Sequence, residues 1–315
     1  MATVTVNDQY LTDIANAIRY ANIPRKDDTF KPAEMAAAIR GARDWIIKDG
    51  KTRLWLEIDN ALLLTQQLAI NVNSLSGLID WGDGTTSSTL AAQNTYTHTY
   101  GATGTYVITI THGGSNMASA PGSSACIMGT RSKRQPWLSC LKRVEIGERF
   151  PTIGAYTFQY CFGLREVYVP KTTTTFNTQV FRDCRGLNRM IFEDGHPGFN
   201  TASTLVWYNN YGLIDGTFYG KLTGATVQAQ TFQNCLSLLT VTIPAQVTTI
   251  NANAFNGLTS LHEIHVKPTT PPTVANANAF TSLNADCKIY VPTASLATYQ
   301  AANIWSTYAS QMVGE

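Results

Sequence analysis

Six cysteines and five histidines are the residues of this 315-residue chain whose types could hold a metal or form a nucleophile–base pair. A zinc or redox site would need Cys-x-x-Cys or paired Cys/His spacing, and neither occurs. Cys126, Cys140 and Cys287 stand apart from any ligand-like neighbour. Cys161, Cys184 and Cys235 each follow a phenylalanine by three residues, the place Leu258 takes after Phe255. That register makes them small hydrophobes, expected to be buried, reduced and stacked in one column. His262 and His265 flank a strand-like run, Leu261 to Val266; residues three apart on a strand face opposite ways, so shared ligation is not expected. His98 lies in a strand pattern, and His112 and His196 read as lone loop residues.

The carboxylates are no more suggestive. Asp80 and Asp83 bracket Trp81-Gly82 without the Asp-x-Asp-x-Asp-Gly spacing of a calcium loop, and Asp83 is expected to cap its turn through backbone hydrogen bonds. Glu145, Glu148, Glu166, Asp183, Glu193 and Asp194 look scattered along solvated edges. No phosphate-cradling glycine loop opens a helix. The expectation is a protein that is not an enzyme and has no catalytic residue, cofactor or metal. Net charge is +2, and the one basic cluster, Arg131, Lys133 and Arg134, reads as a solvated loop, which argues against nucleic acid as a partner. Apolar runs such as Ala61–Leu64 are too short to enter a bilayer. The first residues lack the basic and apolar regions of an export leader, so folding in a reducing cytoplasm, without a wall or membrane anchor, is expected.

Recognition chemistry is suggested in one place. Trp207, Tyr208, Tyr211 and Tyr219 lie among Asn and Gly, which combine rigid contact area with adaptable hydrogen bonding, and they are the receptor-binding candidates. The alternative is that Trp207 and Phe218 fill the core of an imperfect repeat while the tyrosines decorate it.

The elements that must position these residues are read from a degenerate repeat, Ala-x-x-Phe-x-x-Cys/Leu-x-x-Leu-x-x-Val/Ile-x-Val/Ile-x-Pro. It is seen at Ala155–Pro170, from Phe181 to Phe192, at Ala229–Pro244 and Ala252–Pro268, and more loosely from Ala277 to Pro292. Phe158 to Phe181 and Phe232 to Phe255 are 23 residues apart, a period at which one unit cannot bury its own apolar face and must stack on its neighbours. Leu164, Val167 and Val169 alternate inward as a strand that Pro170 ends. A divergent repeat is expected near 200–222. Upstream, residues 50–112 alternate as short strands with regular turns, a β-sandwich pattern. Residues 116–140 are Gly-, Ser-, Ala- and Pro-rich and read as a linker that ends in a first repeat strand at Leu141, Val144 and Ile146. Residues 1–48 read as two short helices whose apolar residues, Leu11, Ile14, Ile18, Met35 and Ile39, need a partner.

Three resemblances follow. Residues 141–315 resemble the BspA-like leucine-rich repeats of bacterial surface and phage proteins, and the tail from Ile289 through Leu296, Tyr299, Trp305 and Tyr308 is similar to that family's helical end cap. Trp81-Gly-Asp83-Gly84, His98-Thr-Tyr100 and Gly104-Thr-Tyr106-Val-Ile-Thr109 resemble a PKD-type Ig-like domain. Tyr10–Ile18 with Phe30–Ile39 resembles the opening of minor structural and tail proteins of phages. The resemblances imply a mainly β chain: a helical docking module (1–48), a PKD-like β-sandwich (49–115), a linker (116–140), a leucine-rich-repeat solenoid (141–291) and a C-terminal helical cap (292–315). They imply a non-enzymatic virion component at the tail tip, fibre or capsid surface, assembled in the host cytoplasm. Its partners would be other virion proteins through residues 1–48, further copies of itself, and a host cell-surface glycan or protein through the repeats. The rival implication is a BspA-like bacterial adhesin.

Overall fold

The computed structural model describes residues 49–72, 77–88, 94–112, 116–117, 125–130, 136–201 and 204–315. The predicted helical module and its docking candidates Leu11, Ile14, Ile18, Met35 and Ile39 lie outside them. The described chain is mainly β, with few helical turns, and Gly50–Glu315 forms one unit.

The first strands are β1 (Thr52–Ile58), β2 (Leu68–Val72), β3 (Gly77–Asp80), β4 (Thr86–Ser88), β5 (Asn94–His98) and β6 (Gly104–His112). In β1 the alternating Leu54, Leu56 and Ile58 are at most 1% exposed, so this strand face is buried. β1 pairs antiparallel with β6, Leu54 opposite Ile108, and β6 with β3, Ile79 opposite Ile110. β2 and β5 form a separate two-stranded sheet. Three short strands follow: β7 (Asn116–Met117), β8 (Ala125–Cys126) and β9 (Gly129–Thr130).

The first three repeats contribute one longer strand and one two-residue strand each: β10 (Leu141–Glu145) with β11 (Thr152–Ile153), β12 (Glu166–Val169) with β13 (Thr175–Phe176), and β14 (Arg189–Phe192) with β15 (Asn200–Thr201). After them come β16 (Asp215–Gly216) with β17 (Thr226–Val227), β18 (Thr240–Ile243) with β19 (Thr249–Ile250), β20 (Glu263–Val266) with β21 (Thr273–Val274), and β22 (Lys288–Val291). The longer strands pair in parallel with equivalent residues opposite, as in Val167 with Met190 and Val241 with Ile264. Leu164, Val167 and Val169 point inward and are fully buried, as their alternation predicts.

The structure differs from the sequence reading in three places. Parts of the span read as a linker are packed: Cys126, Ile127, Met128, Trp137, Leu138 and Cys140 are all at most 4% exposed. Asn71 of β2 donates its amide to the carbonyls of Cys126, at 2.6 Å, and Gly129, which ties this segment to the strands before it. There is also no break in pairing where a domain boundary was expected, because β1 pairs antiparallel with β10, Leu54 opposite Val144. One seven-stranded sheet therefore runs β14-β12-β10-β1-β6-β3-β4. Finally, the C-terminal cap is only partly helical. The six-residue helix Leu296–Ala301 and a 3-10 turn lead into β23 (Met312–Gly314), which adds in parallel to β22.

Candidate functional site

The aromatic segment proposed for recognition divides between core and surface. Trp207 and Tyr219 are fully buried, so they are not the exposed anchors expected of them. Trp207 stands in for the repeat phenylalanine: its ring stacks on Phe181 at 6.5 Å and on Phe232 at 5.4 Å. It thereby completes a column of Phe158, Phe181, Trp207, Phe232, Phe255 and Phe280. The sequence held the signal, since Trp207 lies 26 residues after Phe181 and 25 before Phe232. The extra residues of this repeat form the 3-10 turn Thr217–Lys221, which places Phe218 and Tyr219 against Trp207 at 5.2 and 5.9 Å. The longer strands are interrupted at this repeat, with β14 and β16 in different sheets.

The cysteine column does more than fill space. All six cysteines are free and buried, and Cys184 donates its thiol to the Phe158 carbonyl at 2.9 Å, as Cys235 does to Trp207 at 3.1 Å. In the divergent repeat Asn210 takes this place and donates to the Phe181 carbonyl at 2.8 Å. Each donor thus adds a second hydrogen bond to the carbonyl of the column aromatic in the preceding repeat, which also accepts an N–H from its own turn, and so links neighbouring repeats in a dry core. Burial raises the Cys184 and Cys235 thiols well above their ordinary range, so they act as protonated donors rather than as nucleophiles.

The surface side of the same turns carries the candidate site. Tyr160, Asp183, Asn209, Asn234, Gly257 and Ser282 recur at one repeat position, all with φ between 57° and 78°. Asn and Asp tolerate this left-handed conformation better than most residues, and here they also form a chain. Asn234 donates to the Asn209 side-chain oxygen at 2.9 Å, and Asn209 donates to Asp183, also at 2.9 Å. Asp183 is 1% exposed, contrary to the expectation of a solvated edge, and it accepts from Arg182 Nε at 3.2 Å. Arg182 lies over the half-buried Tyr208, at 5.3 Å.

Two residues after the Asp183 position, Phe162, Arg185 and Tyr211 occupy equivalent turns. The Arg185 guanidinium sits 5.4 Å from each of the two rings and is thus held between them. The adjoining glycines set this spacing. Gly186 N–H donates to the Phe162 carbonyl at 3.1 Å and Gly212 N–H to the Arg185 carbonyl at 3.0 Å. A Cβ on Gly186 would come within 2.7 Å of the Phe162 carbonyl oxygen, so only glycine allows the approach. Of the four recognition candidates, Tyr208 and Tyr211 remain at the surface. Sequence reasoning missed Phe162, Arg182 and Arg185, although Phe162, Arg185 and Tyr211 each directly follow the cysteine-column residue.

Other candidates resolve as structural. Asp83 accepts from the Thr85 backbone at 3.0 Å, as its turn-capping role predicts, and meets His98 Nε2 at 2.7 Å. Burial pushes this carboxyl up, but the Thr85 hydrogen bonds and His98 outweigh it and hold it below its ordinary value. His98 stacks on Trp81, and Tyr100 donates its hydroxyl to the Trp81 carbonyl at 2.9 Å. His262 bonds to the Ser260 carbonyl while His265 stacks on Tyr290 at 4.8 Å, so the two do not converge. Glu145, expected at a solvated edge, is 3% exposed, with Arg53 3.5 Å away. Among the described residues no group of three His, Cys, Asp or Glu could hold a metal, and no helix is long and apolar enough to cross a membrane.

Comparison with known proteins agrees with the register of these columns. The BspA type leucine-rich repeat model matches in six copies over residues 137–224 and 225–302. Solved structures similar to this chain include the pneumococcal vaccine antigen PcpA, at 15% identity over 55% of this chain and 40% of that one, TM-score 0.39. A leucine-rich repeat protein from Bacteroides ovatus matches at 16% identity over 54% of this chain and 59% of that one, TM-score 0.23. A leucine rich cell surface protein from Faecalibacterium prausnitzii matches at 15% identity over 58% of this chain and 66% of that one, TM-score 0.24. This chain thus spans less than two thirds of each. No curated protein matches it. The repeat match covers more than half of the 315 residues, and the column from Phe158 to Phe280 supplies one aromatic core position per copy: the chain belongs to the BspA type leucine-rich repeat family.

Proposed function

We propose that this chain is a non-enzymatic adhesion protein that uses its stacked repeats, as a solenoid, to bind a cell-surface protein or glycan. The observation that carries this reading is the turn surface of Phe162, Arg182, Arg185, Tyr208 and Tyr211, whose side chains are ordered by contacts between repeats yet remain partly exposed. Ordered aromatic and arginine side chains lose little entropy on binding, which is why they dominate interface energetics. In this reading residues 49–115 are a PKD-like Ig module serving as a spacer, supported by the Trp81–His98–Tyr100 cluster around the Asp83 turn. Adhesion by many copies would raise avidity without tight single sites. The test is saturable binding of the labelled full chain to bacterial and animal cells, competed by unlabelled protein. Binding that fails to saturate on every surface would exclude adhesion.

A second reading rests on the phage-like motif of residues 10–39. There the protein is a virion component that docks on other virion proteins through Leu11, Ile14, Ile18, Met35 and Ile39 and is present in several copies. Mass spectrometry of purified particles tests it. Incorporation that survives deletion of residues 1–48 would refute docking by this module.

A further inference from the structure

We infer that the turn edge around Arg185 is a docking site for a protein segment that combines a carboxylate with apolar side chains. This deepens the adhesion reading and rests on it. Among the described residues six large hydrophobics are notably exposed, and three of them, Ile214 at 42%, Leu236 at 40% and Leu239 at 42%, lie on the turns of two successive repeats. Leu239 N–H donates to the Ile214 carbonyl at 2.8 Å, which sets those two residues side by side in neighbouring repeats. Leu236 directly follows Cys235 and so continues the row Phe162, Arg185, Tyr211. An apolar patch thus lies along the same edge as Arg185, with Tyr211 between them.

The charge of that arginine is only weakly answered within the fold. Its Nη2 lies 4.0 Å from Asp183, at the outer limit of an ion pair, and half of its side chain is exposed. Asp183 is already engaged by Arg182 and Asn209. Arg165, two repeats' worth of turn away from Ile214 in the same row, adds a further exposed cation. With Arg165, Arg182, Arg185 and Arg189 set against Asp183, Glu166 and Asp215, the edge carries one net positive charge. The two rings flank the guanidinium at 5.4 Å each, and its half-exposed fork can donate two parallel hydrogen bonds to a carboxylate. Exposed leucine and isoleucine favour an apolar side chain beside that carboxylate. Ile214, Leu236 and Leu239 offer nothing to bond sugar hydroxyls, so a peptide fits this edge better than a polysaccharide.

The experiment is panning of a displayed random 12-residue peptide library on the full chain, followed by fluorescence anisotropy with the enriched peptides and, separately, with hyaluronan as an acidic polysaccharide. Enriched peptides should carry Asp or Glu next to Leu, Ile, Phe or Tyr. Arg185→Ala and the Leu236→Ser/Leu239→Ser double variant should each weaken them tenfold or more. Arg185→Lys should also weaken them, because an ammonium keeps the charge but not the fork, while all variants keep the wild-type melting temperature. Absence of enrichment, peptides without carboxylates, unchanged affinity in the variants, or Arg185-dependent binding of hyaluronan alone would each overturn the proposal. A full chain that binds no cell surface would instead refute adhesion, so the two failures are separable.

Discussion

At the scale of single residues, the repeats are held by polar side chains placed where the backbone most needs them. Asn209 combines a left-handed φ of 58° with a hydrogen bond to buried Asp183 and one from Asn234. Asn209→Ala should therefore destabilise by about 1–3 kcal/mol in a denaturant titration, because it removes a donor from buried Asp183 and the acceptor of Asn234, and it strains the turn. An unchanged midpoint would show the ladder to be incidental. His196, expected to be a lone loop residue, is 6% exposed and accepts from Gly198 N–H at its Nδ1 while its Nε2 meets the Thr173 carbonyl at 2.9 Å. Burial lowers its pKa despite the Thr173 carbonyl, so below pH ~6.5 the unfolded chain takes up a proton that the folded chain declines. Stability should fall as pH drops through that value and level off below the depressed folded value. His196→Gln should flatten this slope when melting is followed from pH 7.5 to 5; an unaltered slope would remove His196 as its source.

At the scale of elements, spacing between repeats is set by turns as much as by strands. The close approaches at Gly186 and Gly212 put the Phe162, Arg185 and Tyr211 turns at stacking distance. Gly186→Ala must move the Phe162 carbonyl, and overpacking of this kind typically costs about 1–3 kcal/mol. The same change should weaken any ligand of the turn edge, because it separates Arg185 from Phe162. Loss of stability with full binding would show that the arginine does not depend on the stack. The column donors behave alike: Cys184→Val keeps the volume but leaves the Phe158 carbonyl with only the Cys161 N–H, and it should cost about 1 kcal/mol more than Cys184→Ser, which keeps a donor. Equal losses on thermal melting would return the cysteines to a purely space-filling role.

At the scale of the whole molecule, β1 decides how far stability is shared. It pairs with β6 on one side and with β10 on the other, so the antiparallel strands and the first repeats share one sheet. Leu54 is fully buried in that strand, and Leu54→Ala should cost about 2–5 kcal/mol. Hydrogen exchange should then accelerate in β12 and β14 as well as in β6. Acceleration confined to β6 would mean that the two parts unfold independently despite their shared sheet.

The repeat was legible because its period and its inward alternation are local: a strand that buries Leu164, Val167 and Val169 must show them at those intervals whatever it packs against. The buried cysteine column was legible for the same reason, since its register follows that of the phenylalanines. Trp207 stood open between a binding surface and the core of an imperfect repeat, because an insertion shifted the count and tryptophan suits both; its stacking between Phe181 and Phe232 decides for the core, with Phe218 beside it. The linker reading failed at Cys126–Gly129 because small residues signal mobility only when nothing packs on them, and what packs there includes Asn71, far away in sequence. The Arg185 stack was invisible for a related reason. Its three members come from three successive repeats, and their meeting depends on the distance between turns, which no single repeat encodes.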